Sequence, residues 1–406
     1  MLAHSSDIDS YFTLPTGAGE CSGANTLNFL NEMLDDATTL IQGMVDAMDA
    51  ATASATTEQA AKDKIVAQKL FTSFFGIAFD GNDVLAEDED AWAIVQSAIN
   101  NVNEFLETEA YTCAKLPPVL FCDNFGNEYE WNAQAKNAEG NPIEMSDGYQ
   151  PSIQDLYSTA YMKSQSTVPY WIPGLDRYIF TEPGTDGVSF CGGDTSYIGW
   201  TVYGYQGETI PYTLADGSEE YEAYEASSEI VVICPTVLMG EAEDVELLAN
   251  VPYTAPFTDT ELSSILPLSS TFFHELFHMT TYWQGDDVGP DAEENSDYVK
   301  DFTYDLFKAL DLAMGVLVVP PDESSSDAGS DADSGSDSGS TDVEYYSFEA
   351  AAQNAESYVF FAVSWWNYAK TWSEGDSAVF YTGCAESWDW LGPVTSCSSS
   401  DSDDES

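Results

Sequence analysis

The sequence predicts an α+β fold, mainly helical with a small mixed sheet. Three observations carry that prediction. Apolar residues recur at helical spacing along residues 25–109, short Tyr-, Val- and Ile-rich runs broken by Gly, Pro, Asn and Asp fill residues 117–238, and a helical pattern resumes at Thr260. With 406 residues, 44% apolar and 13% aromatic, the chain can bury one large core or two smaller ones.

The first stretch, "TLNFLNEMLDDATTLIQGMVDAMDAATA", places Leu27, Leu30, Met33 and Leu34, then Leu40, Ile41, Met44 and Met48, along one helical face, and its alanines favour the helix. Two more amphipathic helices follow, in "TTEQAAKDKIVAQKLFTSFFGI" and in "EDEDAWAIVQSAINNVNEFLE", whose leading acids suit a helix N-terminus. The runs "PPVLFC", "VPYWI", "SYIGWTVYGY" and "SEIVVICPTVL" read as strands, with long irregular connections around residues 124–148. The helix expected from Thr260 onward carries "TFFHELFHMTTYWQ".

This divides the chain into an N-terminal segment (1–20), a helical part (21–110) and a mixed helix-and-strand part (111–395) that continues the same domain. Residues 320–343 form a Ser/Asp/Gly insertion with no apolar face to bury, so disorder is expected there, and residues 396–406 form an acidic tail. Asp331 and Asp333 begin as an EF-hand loop would, but the fifth position is Gly335 and the closing Glu is absent.

Charge excludes whole classes of partner. The 71 Asp and Glu against 10 Lys and Arg give a formal −61, a surface that repels phosphate backbones and anionic membranes. No nucleic-acid or membrane role is expected, and no apolar run approaches the roughly 18 residues of a membrane span. Most of that charge disappears as pH falls toward 4, which suits an acidic medium; a halophilic surface would look alike.

The seven cysteines, Cys21, Cys113, Cys122, Cys191, Cys234, Cys384 and Cys397, show no CxxC spacing, so disulfides in an oxidising compartment are expected, with one thiol left over. The start, "MLAHSSDIDSYF", has neither a basic n-region nor an apolar h-region, so no secretory leader is expected within it. There is no Asn-x-Ser/Thr sequon.

The chemistry concentrates in "HELFH". Two of the chain's three histidines, His274 and His278, stand at i and i+4, so on a helix both imidazoles project from one face and can bind one Zn²⁺. Glu275 sits beside them, placed to take a proton from an attacking water. The alternative is an ordinary buried helix, with Phe272, Phe273, Leu276 and Phe277 as core and the histidines satisfied by hydrogen bonds. Two imidazoles and a carboxylate on one buried face are costly without a partner, which favours the metal. A catalytic zinc wants a third protein ligand. Besides these two there is only His4, so a carboxylate is expected, from among Asp286, Asp287, Asp291, Glu293, Glu294, Asp297, Asp301 and Asp305.

"HELFH" followed by an acidic loop, then "DFTYDLFKALDLA" and "NAESYVFFA", resembles the aspzincin metalloendopeptidases, the deuterolysin and peptidyl-Lys metalloendopeptidase group of secreted fungal enzymes. In that family the ligand Asp precedes a Tyr by three residues, as Asp301 precedes Tyr304 here. Its later helix carries Asn-Ala-Asp-x-Tyr-x-x-Phe-Ala, matched by Asn354, Ala355, Glu356, Tyr358, Phe361 and Ala362 with Glu in place of Asp. "IVVICPTVL" resembles the family's strand ending in Cys-Pro, and "CSGANTL" the start of its mature domain. The likeness is good over residues 229–366 and general over residues 1–228. Two features depart from it. "DYVKD" stands where the family has Gly-Thr before the Asp, and Asp305 stands where Gly commonly follows the Tyr.

The resemblance implies a zincin-like metalloprotease with an HExxH helix, one catalytic Zn²⁺ on His274, His278 and Asp301, Glu275 as general base, and Tyr304 donating its phenol to the oxyanion. It also implies that Asn354 and Tyr358 anchor and pack the supporting helix. A rival stays open, because "EENSD" resembles the Glu-x-x-Ser-Asp of thermolysin-like gluzincins and would make Glu293 the third ligand. The expected activity is that of a secreted, extracellular, monomeric endopeptidase acting on protein or peptide substrates. The competing expectation is a non-catalytic pseudo-peptidase or surface-interaction protein that keeps zinc for stability.

Overall fold

The computed structural model describes residues 7–15, 21, 23–108, 118–123, 127–137, 140–145, 148–157, 168–172, 177–181, 191, 199–202, 211–213, 219–221, 230–235, 246–252, 254–256, 258–281, 299–315, 348–371 and 378–389. The fold is α+β. In chain order the elements are α1 (Ile8–Tyr11), α2 (Ala24–Thr52), α3 (Glu58–Phe75), β1 (Phe79–Asp80), β2 (Asp83–Val84), α4 (Glu89–Thr108), β3 (Val119–Phe121), β4 (Asn127–Glu128) and α5 (Ile153–Leu156). There follow β5 (Val168–Ile172), β6 (Arg177–Thr181), β7 (Gly199–Val202), β8 (Pro211–Thr213), β9 (Glu219–Tyr221), β10 (Ile230–Ile233), α6 (Ser270–Thr281), α7 (Leu306–Ala313), α8 (Phe348–Ala352) and α9 (Ala355–Thr371).

The three helices expected before residue 110 are α2, α3 and α4. Along α2 the buried apolar set is Leu30, Met33, Leu34, Ala37, Leu40, Ile41, Met44, Ala47, Met48 and Ala51, the stripe that a 3.6-residue period dictates, while Leu27 is half-buried. The hydroxyl of Thr57 caps α3 by accepting from Ala60 N–H at 3.0 Å, and Gly76 ends it at φ 71°, a left-handed conformation that glycine adopts without a Cβ clash. The helix expected from Thr260 starts later. Residues Leu262–Ile265 form a 3-10 turn, and Leu266 is extended (ψ 128°) because Pro267 disfavours a helical residue before it.

The chain divides into two compact units. The first comprises Met1–Gln42, Ala98–Val251 and Pro267–Tyr298. At its centre is a three-stranded sheet ordered β3-β10-β7, in which β10 pairs parallel to β3 and antiparallel to β7. All four residues of β10, "IVVI", are buried, as a β-branched strand covered on both faces should be. One face packs Val119, Phe121, Ile230 and Val232 with Tyr170 and the half-buried Trp200. Val231 pairs with both Leu120 and Thr201, so alternation puts these three on the opposite face; α6 packs against β7 and β10.

A second sheet in this unit, β4-β5-β6, is antiparallel and shares a core of Ala135, Ile143, Ile153, Leu156, Tyr157, Trp171 and Tyr178. Two disulfides brace the unit. Cys21–Cys122 ties the approach to α2 to the end of β3, and Cys191–Cys234 ties residue 191 to the end of β10. Closing loops of 101 and 43 residues, each is worth on the order of 4 kcal/mol by the loop-entropy argument.

The second unit comprises Gly43–Ser97, Pro252–Leu266 and Val299–Ser406. Its central helix, α9, packs against α3 and α7 and is buried almost all round from Ser357 to Trp365. Phe71 and Phe75 of α3 stack on it, with ring centroids 4.5 Å from Phe361 and 4.8 Å from Tyr358 respectively. Polar groups on α9 fasten loops to it. Asn367 accepts from Thr254 N–H at 3.0 Å and donates to Ala378 O at 2.7 Å, and Ser364 accepts from Phe380 N–H at 3.0 Å. Beyond residue 378 the chain folds back through a Val379–Glu386 bridge and buries Glu386. That carboxyl accepts from the Thr382 hydroxyl, while its Oε2 has no hydrogen-bond partner among the described residues. Burial pushes Glu386 up to about 7, against the opposing pull of Thr382 and Lys69.

Cys384 is also disulfide-bonded. Among the described residues no helix is long and apolar enough to cross a membrane. The acidic insertion at 320–343, the EF-hand-like aspartates, the tail at 396–406 and most of the 1–20 segment lie outside the described residues.

Candidate metal centre

Helix α6 carries the two histidines, and everything from Phe272 to Thr281 on it is buried. The apolar residues Phe272, Phe273, Leu276 and Phe277 form core as expected, with Phe272 against Phe12 at 5.9 Å between ring centroids. The start of α6 is held by a buried acid. Asp36 accepts from the Ser269 hydroxyl and from Leu248 N–H, each at 2.8 Å, while Ser269 O accepts from Phe273 N–H in the helix's first turn. Burial raises the pKa of Asp36, and those two hydrogen bonds pull it back.

The i, i+4 spacing brings the two imidazoles together on one face of α6. His274 and His278 are each 5% exposed, and their Nε2 atoms face each other at 3.0 Å. Two Zn–N bonds of about 2.0–2.1 Å meeting near the tetrahedral angle put their nitrogens about 3.3 Å apart, so the pair fits a shared cation with little adjustment. Asp301 completes the group: one ligand atom from each of His274, His278 and Asp301 lies within 4.8 Å of the others, and together they could hold a metal ion. The histidines are buried and Asp301 is exposed.

Asparagine 354 explains how the Asp301 segment is held without a Gly-Thr before it. The side chain is fully buried, and its Oδ1 accepts from both Phe302 N–H and Thr303 N–H at 3.1 Å. Lys300 forms a parallel bridge to the same residue, donating to Gln353 O at 2.6 Å and accepting from Ala355 N–H at 3.0 Å. Hydrogen bonds thus flank Asp301 on both sides. Asn354 Nδ2 in turn donates to Ser357 at 3.0 Å, and Tyr358, fully buried, donates its hydroxyl to Ala352 O. Asn354 and Tyr358 therefore anchor and pack, as the sequence suggested. Asp305 is the N-cap of α7, accepting from Lys308 N–H at 2.9 Å.

Tyr304 is 63% exposed, which removes it from the core and leaves its phenol at the surface three residues beyond Asp301. Glu275 is 5% exposed, and its Oε2 accepts from the Thr201 hydroxyl on β7 at 2.6 Å. Thr201 and its neighbour Gly199 were not singled out from sequence. The run "SYIGWTVYGY" does show small residues alternating with Trp200, but which strand lies beside α6 depends on long-range pairing. Glu293 and the other acids of residues 282–298 lie outside the described residues.

No protein-family model, no curated protein and no solved structure matches this chain.

Proposed function

We propose that this chain is a secreted zinc-dependent endopeptidase of zincin type, similar to the aspzincins, acting as a monomer on protein or peptide substrates. The observation that carries the reading is the convergence of His274, His278 and Asp301 with Glu275 on the same helix as the two histidines. Two imidazoles and one carboxylate are the ligand set of a catalytic rather than a closed structural zinc site, because a fourth position remains for water or substrate.

His274, His278 and Asp301 would hold the zinc, which would supply a Lewis acid able to make water nucleophilic at neutral pH and to polarise a carbonyl. Glu275 accepts the proton from the attacking water and passes it to the leaving amine, so one water and one peptide bond yield a carboxylate and an amine. Tyr304 donates its phenolic hydrogen bond to the carbonyl oxygen as negative charge builds on it, which its exposure to incoming substrate permits. The disulfides fit an oxidising, extracellular setting.

The test is metal analysis combined with caseinolysis from pH 4 to 8, on wild type and Glu275→Gln. One zinc per chain, chelator-sensitive cleavage by wild type and at least a hundredfold loss in the variant are expected. Zinc binding without cleavage by either protein would leave a pseudo-peptidase with a structural metal. Absence of metal together with indifference to chelators would end the zinc reading.

A further inference from the structure

The contact between β7 and α6 is built around Glu275. Gly199 and Thr201 stand two apart on β7 and so face the same side of the sheet. At Gly199 the strand approaches so closely that an added Cβ would come within 2.6 Å of Thr271 Cγ2 and 2.9 Å of Glu275 Oε1. At Thr201 the buried hydroxyl lies 2.6 Å from Glu275 Oε2 and 3.2 Å from the Glu275 carbonyl oxygen. One position supplies clearance and the next supplies a donor. On the same strand Trp200 points the other way and packs into the apolar cluster, so Gly199 and Thr201 are free of that core.

We infer that Thr201 is a positioning residue for Glu275, its hydroxyl fixing the carboxylate's rotation against β7 for proton transfer, with Gly199 providing the room that this pose needs. The inference rests on the peptidase reading above. A glutamate has three rotatable side-chain bonds, and reaction requires its oxygen within hydrogen-bond reach of the attacking water. A hydroxyl sets that orientation through a short hydrogen bond without placing a cation beside the base. Valine at 201 keeps the β-branched shape and removes the donor, whereas serine keeps the donor.

The experiment compares wild type, Thr201→Val, Thr201→Ser, Glu275→Gln and the Val/Gln double variant as zinc-loaded proteins on one peptide substrate. Zinc affinity is measured separately by chelator competition. Thr201→Val should lower kcat about tenfold to a hundredfold with KM and zinc affinity within about threefold of wild type, and Thr201→Ser should restore kcat to within about threefold. In the Glu275→Gln background the Val change should cost nothing further, since the group it orients is gone. A second cycle reads the contact without activity: in the metal-free protein, Thr201→Val should lower the urea midpoint when residue 275 is Glu and not in Glu275→Ala. Full kcat in Thr201→Val, a loss that serine fails to rescue, a loss explained by zinc affinity, or a missing coupling in the metal-free cycle would each overturn the inference alone. A wild type that binds zinc and cleaves nothing overturns the peptidase reading, and the inference with it.

Discussion

Glu386 makes the protein's stability depend on pH in a way that one substitution can isolate. The side chain is 7% exposed, its Oε2 has no hydrogen-bond partner among the described residues, and burial raises it from 4.5 to about 7. Because the folded-state value lies above the unfolded one, the folded chain binds more protons between those limits, and stability falls as pH rises through that window. At about 1.4 kcal/mol per pH unit the full window is worth at most about 3 kcal/mol, and solvent reaching part of the carboxyl brings it to on the order of 2 kcal/mol. Glu386→Gln keeps the shape and an acceptor for Thr382 but cannot ionise. Urea denaturation of the metal-free proteins, followed by tryptophan fluorescence at pH 4, 6 and 8, should find the two within about 0.5 kcal/mol at pH 4 and the variant more stable by on the order of 2 kcal/mol at pH 8. The general repulsion among the chain's other acidic residues is common to both proteins and cancels in the difference. A difference that stays constant across the three pH values would refute the reasoning. The same sign holds for Asp36, whose value burial also raises, so both groups favour an acidic medium.

Two further predictions concern the buried hydrogen bonds that hold the Asp301 segment and the start of α6. Asn354→Ala leaves the amides of Phe302 and Thr303 without their acceptor and should weaken zinc binding about tenfold by loosening Asp301, measured by chelator competition; unchanged affinity would show that the segment holds itself. Asp36→Ala strips partners from Ser269 and Leu248 and should cost about 1–3 kcal/mol of unfolding free energy at pH 7 in the metal-free protein, where a loss below about 0.5 kcal/mol would contradict its role at the start of α6.

How much of this could be read beforehand follows the range of the forces involved. Helices α2, α3 and α4 were legible because a periodic apolar stripe is a local signal, and Pro267 could have warned that the helix expected from Thr260 would start late. The strands around Leu120, Trp171, Thr201 and Val231 were legible as β-rich runs, but their pairing as β3-β10-β7 was not, since it joins residues far apart in the chain. In the candidate site, His274, Glu275 and His278 declared themselves by spacing. Asp301 could be chosen only through a family resemblance, and the reason its segment stays put, the double acceptor of Asn354, needed the folded chain. Thr201 and Gly199 lay hidden for the same reason: nothing near them in sequence says that β7 borders α6.

The most direct measurement is zinc affinity, by competition with a chromogenic chelator, for wild type, Asp301→Ala and Glu293→Ala. The account predicts one tight site, lost by at least a hundredfold in Asp301→Ala and unchanged within about threefold in Glu293→Ala. Full affinity without Asp301, or its loss without Glu293, would contradict the ligand set on which everything else rests.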